Sequence, residues 1–453
     1  MNDLWELQEE TVVDTETVDA IILGAGVSGL VAASVLVKQN TARIMVIDSY
    51  DRVGGNHIDW SRDGFTFDVG SLIFQDDSPL VKHFPQLLDH YVHIHPSWGR
   101  LNPQRKVTTY PISVKDDILA AGPVVIGRIL FSVLFARLRG KTMRNAKDFA
   151  AYWIGEYLLR RSGLENYMAR FYGVAPDYID LELAQKRMLW IKENSSLTNL
   201  LRKLLPKKPS VDHVPNKQLA RPKAGYATLY EPVKRALGQN GVSFKLGMDI
   251  TKLEKIDGDR FVVTSSCGKT VTAPRMISTI PINNLCDLCG LEQKRPLQTI
   301  TLISLYFSFA GKRGFDQSIL YNFSYEAAWK RLTVYSDFYG PTDGREYFAV
   351  EVVANDTITS IALAEAEFRQ HVAKNGIFDG DLRLEGGHVL DNAYPIYVHG
   401  AAADARQQIE TLKQYGIESF GRHGAFNYQP TARVSTLEVE EALDYRHPEP
   451  QPA

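Results

Sequence analysis

The sequence predicts an α/β fold: a doubly wound nucleotide-binding domain of Rossmann type, with an inserted substrate domain of mixed sheet and helices. Three observations predict it. An apolar strand, "AIIL" from Ala20 to Leu23, runs directly into the turn Gly24, Gly26, Gly29 and on into apolar residues at helical spacing. A second apolar strand, Ile44 to Ile47, follows within about thirty residues and ends on Asp48. At 453 residues the chain outgrows one small core, so interleaved domains are expected.

Along the chain, "MNDLWELQEETVVDTETVD" is acidic and polar and reads as a loose leader, not a signal peptide. The glycine turn then carries a mechanism. Gly24 permits the tight turn, Gly26 lets backbone approach a pyrophosphate, and Gly29 lets helix and strand pack closely. The helix start offers unpaired N–H groups and partial positive charge to phosphates. Asp48 suits ribose hydroxyls, and its charge opposes a 2′-phosphate.

In "DSYDRVGGNHIDW", Gly54 and Gly55 form a second glycine pair that a plain nicotinamide fold does not need. It suits a longer dinucleotide extending deeper into the protein. The candidate cofactor contacts are Gly24, Gly26, Val27, Ser28 and Gly29, then Asp48, Ser49, Arg52, Gly54, Gly55 and Asn56.

The segment Ile118 to Arg137, "ILAAGPVVIGRILFSVLFAR", is strongly apolar but is interrupted by Gly122-Pro123 and Arg128. A span of about 20 residues rarely carries a central arginine, so a buried or surface-docking helix is expected, with monotopic membrane contact the minority reading. Asp148 to Trp190 reads as helical, and the proline-punctuated basic stretch Arg202 to Lys223 reads as a loop. Its run Arg202, Lys203, Lys207 and Lys208 is expected to be solvated. A helix and a series of strands follow, with turns at Asn240-Gly241 and Asp257-Gly258. "TITLISLYFSF" and "REYFAVEVVAN" read as strands of a separate sheet, and "STLEVEEAL" as a terminal helix.

Composition narrows the function. With 51 basic and 53 acidic residues the formal charge is -2, which favours neither nucleic acid binding nor acidic disorder. Three cysteines fit a reducing, cytoplasmic setting, with a location peripheral to a membrane as the alternative. Cys286 and Cys289 lack the second pair or histidine that a zinc site needs, and His90, His93 and His95 lack a fourth ligand, so no metal is expected.

Together with "YMARFYGVAPDYID", "RPKAGYATLYEPVKRAL", "RLTVYSDF", "YPIY" and "GRHGAFNY", the fingerprint makes the chain resemble the FAD-dependent amine oxidase superfamily. Within it, the UDP-galactopyranose mutase and protoporphyrinogen-oxidase-like branches are most similar, over roughly Ala20 to Leu443. The resemblance implies FAD, with Gly421 and Arg422 returning to the flavin and Ile250 clamping adenine. It implies an FAD-binding domain from segments 18–75, 221–290 and 401–445, with substrate-domain segments 76–220, largely helical, and 291–400. Trp98 and Arg100 fall on a strand that in this superfamily approaches the substrate cavity, with an exposed strand tip the equal alternative. For each of Tyr226, Tyr321, Phe323 and Trp329, pocket wall and core are equally open readings.

Arg331, Tyr394, Tyr428 and Arg422 stand where the mutase holds its substrate, and Arg331 is the first choice for an anionic group. Other catalytic positions depart from the mutase: Leu72 and Gln75 replace histidines, Tyr172 a tryptophan, Ile191 (beside Lys192) an arginine, and Pro430 an acid. The first reading is therefore an FAD-dependent oxidoreductase taking hydride from a small-molecule substrate, anionic or a nucleotide sugar. A non-redox flavin mutase of nucleotide sugars and a non-catalytic flavin-binding protein remain as alternatives. Oligomeric state is left open.

Overall fold

In the computed structural model, residues 15–69, 73–138, 143–188, 191, 217–256, 259–293, 295–429 and 431–447 are described. The calls on Leu72, Lys192, Pro430, the leader up to residue 14 and the basic run 202–208 therefore lie outside the described residues.

The strand Ala20–Leu23 sits in the middle of a five-stranded parallel sheet and is buried along its whole length. Such all-apolar runs are what a strand covered on both faces requires. Its neighbours are Ile44–Asp48 on one side and Arg275–Ser278 on the other, paired in parallel as Ala20 with Ile44 and Ala20 with Arg275. Val242–Leu246 and Ile417–Ser419 complete the edges. The sheet thus gathers strands from near both ends of the sequence and from its middle. The helix Val27–Lys38 leaves the central strand through the glycine turn, and the C-terminal helix Ala432–Ala442 packs on it.

A four-stranded sheet of Thr15–Thr17, Thr270–Ala273, Arg260–Ser265 and Ile250–Ile256 flanks this core. A seven-stranded sheet forms the other large body: Phe378–Pro395, Thr299–Arg313, Glu346–Val353, Trp329–Val334, Ile319–Asn322, Trp98–Leu101 and Val107–Thr109, in that order. The two strands read from "TITLISLYFSF" and "REYFAVEVVAN" are its antiparallel centre, with Leu305 opposite Val350. Helices Ala146–Ile154, Glu156–Arg161, Leu164–Tyr172 and Leu181–Arg187 lie between the sheets in sequence, as their spacing predicts.

The expectation at Arg100 is corrected here, and the alternatives left open at Phe323 and Trp329 are decided. Arg100 does not reach a substrate cavity: it is fully buried, ion-paired to Asp117 and donating to the Ser162 carbonyl at 2.6 Å. Phe323 and Trp329 are core, and the indole N–H of Trp329 donates to His371 Nδ1 at 2.9 Å. The apolar segment after Gly122 forms the helix Pro123–Leu138, which is surface-docked with Ile129 its buried side chain.

Candidate functional site

The parallel strands end at one cleft. Gly24 follows the first strand, Asp48 ends the second, Thr279 follows the third, and Arg422 lies just past Ser419. Ligands of open α/β sheets bind at these carboxyl ends. The cleft encloses about 530 Å³.

The glycines show why the sequence folds this way. A Cβ at Gly29 would stand 1.9 Å from the Gly24 carbonyl oxygen, so helix and strand meet only through glycine. Gly54 and Gly55 adopt φ of +126° and +59°. The Gly54 N–H donates to the Ala25 carbonyl at 2.9 Å, and a Cβ on Gly55 would come within 2.7 Å of Gly26 Cα. The second glycine pair therefore locks against the first turn, backbone to backbone, while both line the cleft. The helix from Val27 has no side-chain cap and no acid in its first turn, which leaves its N–H groups available to an anion.

Asp48 accepts from the Ala25 N–H at 2.6 Å and the Tyr50 N–H at 2.9 Å. Burial pushes its carboxyl up, and these backbone donors oppose the shift. Those bonds orient the carboxylate and leave it capacity for hydroxyl donors.

Val27, Ser28, Ser49, Asn56 and Arg422 join Gly24, Gly26, Asp48, Gly54 and Gly55 in lining the cleft. Gly29, Arg52, Ile250 and Gly421 do not. Gly29 is spent on packing. Arg52 turns to Asp51 at 3.2 Å and Asp59 at 3.5 Å. Gly421, with φ of +90°, sits behind the wall, where a Cβ would meet Ser28 Oγ at 2.8 Å. Ile250 starts a strand in the flanking sheet, at a register shift. The backbone that reaches the Asp48 strand end is instead Gly247, donating to the Tyr50 carbonyl at 2.8 Å, and Met248, donating to the Asp48 carbonyl at 3.0 Å.

Two histidines in the wall, His57 and His423, escaped the sequence reading, as did His388. His57 contacts the Tyr230 hydroxyl at 2.5 Å, and burial pushes its pKa down to about 3. His423 is held down to about 4 by burial and by neighbouring Arg422, and its Nε2 has no partner among the described residues. Both are adjacent to motif residues, in "GGNH" and "GRH", which was the available signal.

Beyond Arg422 lies a half-buried aromatic and cationic cluster, with Lys330 its buried cation. The Arg422 guanidinium sits 5.5 Å from the Tyr394 ring, which Lys330 Nζ approaches at 4.3 Å. Phe171 and Tyr428 lie 6.2 Å from Tyr394, centroid to centroid. The structure thus brings Tyr394, Tyr428 and Arg422 together. Arg331 joins from the next residue after Lys330, but its guanidinium is ion-paired to Glu351, which also takes Lys330 at 3.0 Å. Burial pushes the Glu351 carboxyl up, yet the two cations outweigh it and hold the group below its usual value. Two cations thus share one anion, leaving the local balance positive. Lys330 and Glu351 were not foreseen; their pairing joins adjacent strands through a register the sequence does not display. Tyr321 stacks on Tyr110 at 4.2 Å beside Arg331, and Tyr226 is buried against Asp59 and Asp68. Burial holds the Tyr110, Tyr167 and Tyr321 phenols above their ordinary value, hence neutral.

This architecture and cleft are those of a Rossmann-like fold with a dinucleotide-sized cleft at its strand ends. Residues 22–88 match the NAD(P)-binding Rossmann-like domain family. Across the chain, the fold is similar to that of reduced UDP-galactopyranose mutase, with a TM-score of 0.75 at 18% identity and 94% of each chain covered. It is also similar to putrescine oxidase bound to putrescine, with a TM-score of 0.55 at 15% identity, covering 95% of this chain and 99% of that one. Among curated sequences, 62 residues are 47% identical to prolycopene isomerase 2 of an Oncidium hybrid cultivar, 14% of this chain and 10% of the relative. Another 63-residue match is 40% identical to protoporphyrinogen oxidase of Nicotiana tabacum, 14% of this chain and 11% of the relative. The matched stretch spans only about a tenth of those relatives.

The cleft fits FAD. Its uncapped helix start, its oriented carboxylate at the second strand end and its interlocked glycine pairs are the cradle a dinucleotide needs, and Arg422 in its wall lies 5.5 Å from the Tyr394 ring.

Proposed function

We propose that the protein is an FAD-dependent oxidoreductase acting on a small-molecule substrate with an anionic group. The observation that carries this reading is Arg422, which lines the dinucleotide cleft and lies against Tyr394 of the aromatic cluster. One side chain so joins a cofactor site to a cationic and aromatic cluster. When bound, the flavin supplies hydride acceptance.

The chain's own residues do the rest. Asp48 takes ribose hydroxyls, and the N–H groups at Val27 and Ser28 face phosphates. Lys330, Arg331 and Arg422 attract and orient an anionic substrate group, since charge-assisted contacts strengthen where water is excluded. Phe171, Tyr394 and Tyr428 supply apolar faces beside these cations. His57 and His423 are neutral at pH 7, so each ring nitrogen without a proton is an acceptor at the wall.

The mutase reading keeps a specific support: the whole-chain likeness to UDP-galactopyranose mutase together with Arg331, Tyr394, Arg422 and Tyr428 at its substrate-holding positions. Anaerobic addition of candidate amines and nucleotide sugars to the FAD-loaded protein separates the two. Bleaching of flavin absorbance by one of them supports the oxidoreductase. Conversion of a nucleotide sugar by chemically reduced protein, without electron-acceptor turnover, replaces it with the mutase. Protein that neither retains nor can be reconstituted with FAD ends both.

In either case Arg331→Met is expected to raise KM or substrate Kd by about tenfold or more while FAD content stays at the wild-type level. Loss of FAD in that variant would instead assign Arg331 to the cofactor.

A further inference from the structure

The helix Pro123–Leu138 is apolar on the face turned away from the protein. Val124, Leu130, Phe131, Leu134, Phe135 and Leu138 are between 45% and 76% exposed, and Leu119 just before the bend is 55% exposed. The opposite face is fixed. Ile129 is buried, Val125 and Val133 pack on the core, and Ser132 Oγ accepts from the Tyr157 N–H at 3.1 Å. Contiguous apolar patches of this kind mark an interaction surface.

Among the described residues, no single helix is long and apolar enough to cross a membrane. With 16 residues, the helix is about 24 Å long, short of a hydrocarbon core of about 30 Å. The preceding helical turns Val114–Ala121 meet it at a bend of 113°. Gly122, with φ of +85°, makes that bend, so the two pieces lie as an elbow along a surface.

Charge selects the occupant. From Lys115 to Asp148 the sequence holds seven basic residues (Lys115, Arg128, Arg137, Arg139, Lys141, Arg144, Lys147) and three acidic ones, in a chain whose formal charge is -2, and Arg144 is ion-paired to Asp148 at 3.4 Å. Arg139 and Lys141 lie outside the described residues. Asp117 is buried against Arg100 and so offsets none of the surface charge. Lys115 and Arg128 are exposed, and Arg128 emerges within the apolar face itself. An arginine there lays its stem along apolar surface and carries its charge to headgroup level. A second copy of the chain seated on this face would bring these cations against one another.

We propose that this elbow is a docking face for the surface of a bilayer containing anionic phospholipid. The apolar side chains insert to headgroup depth and the basic residues pair with lipid phosphates, as interfacial helices do. This rests on nothing about the reaction, so it stands or falls apart from the catalytic reading.

The test is flotation of the purified full-length protein with vesicles of phosphatidylcholine, alone or with about one third phosphatidylglycerol. Binding to the anionic vesicles is expected, weakened by salt. Leu130→Ser/Phe131→Ser/Leu134→Ser, at exposed positions, is expected to cut partition by about tenfold or more. Arg128→Glu is expected to weaken it on anionic vesicles alone. Unchanged melting and FAD retention identify these as surface effects. Wild-type protein that fails to float with either vesicle, or a triple variant that floats as well as wild type, would overturn the proposal. So would self-association that the triple variant abolishes in the absence of lipid.

Discussion

Gly26 and Gly55 touch across the cleft floor, yet they respond differently to a methyl group. Gly26 has φ of -73°, and a Cβ there meets Gly55 Cα at 3.5 Å, an ordinary contact. Gly26→Ala is therefore expected to leave apoprotein stability within about 1 kcal/mol of wild type. The new methyl occupies the space a pyrophosphate needs, so FAD retention should fall by about tenfold or more, read by absorbance after denaturation. Wild-type FAD content in Gly26→Ala would remove the dinucleotide from that turn. Gly55→Ala differs, because φ of +59° and a 2.7 Å clash with backbone strain the fold itself, at about 1–3 kcal/mol. Asp68 makes a different residue-scale case. Its carboxylate is ion-paired to Arg221 with both side chains fully buried, and Arg221 also donates to the Thr66 carbonyl at 2.8 Å. Asp68→Asn leaves a buried guanidinium without its counter-ion and is expected to cost about 3–5 kcal/mol, measured by urea unfolding. A loss below about 1 kcal/mol would show that the carbonyl acceptors alone satisfy Arg221.

Elements divide by whether their signal is local. The strand–glycine–helix unit is legible in sequence because each step has a short-range cause: an apolar run, a turn only glycine can make, and a 3.6-residue apolar period. The long strand Phe378–Pro395 is the opposite case. Its residues His388 to Asn392 wall the cleft, although "GGHVLDN" carries no motif and reaches the site only through pairing with Thr299–Arg313. The Asp68–Arg221 pair joins positions 153 residues apart, and no local pattern announces it. The helix Pro123–Leu138 shows a further limit, since an apolar segment reads alike whether its open face meets a core or the outside. At the C-terminal helix, Glu440 accepts from His83 Nε2 at 2.9 Å and from His447 Nε2 at 2.7 Å, while Ser34 of the glycine-turn helix meets His83 Nδ1 at 3.0 Å. These bonds clasp the end of the chain to the helix that frames the cofactor cleft. Glu440→Ala is expected to lower stability by about 1–3 kcal/mol and to expose the segment after Leu443 to limited proteolysis. Wild-type resistance to the protease would dismiss the clasp.

Across the whole molecule, four histidines from distant parts of the fold share one electrostatic condition. Burial pushes His57 down to about 3 and His83, His371 and His423 down to about 4, so each is folded as the neutral base. An unfolded histidine titrates near about 6.5. Below that pH the unfolded chain takes up protons that the folded chain refuses, and stability falls with falling pH. The contribution is complete above about pH 6.5 and is lost progressively down toward pH 4. Apoprotein melting temperature is therefore expected to be level between pH 7 and 8 and to drop steadily from about 6.5 to 4.5. His371 separates this effect from cofactor binding, because it lies away from the cleft, bonded to Trp329 and to Ser324 Oγ at 3.1 Å. His371→Asn removes one titrating group and should flatten the acid slope, even as it lowers the melting temperature at pH 7 by removing a buried hydrogen bond. A melting temperature that holds or rises between pH 6.5 and 5 would mean that the folded state protonates these rings after all. A His371→Asn slope equal to wild type would assign the acid response to other groups.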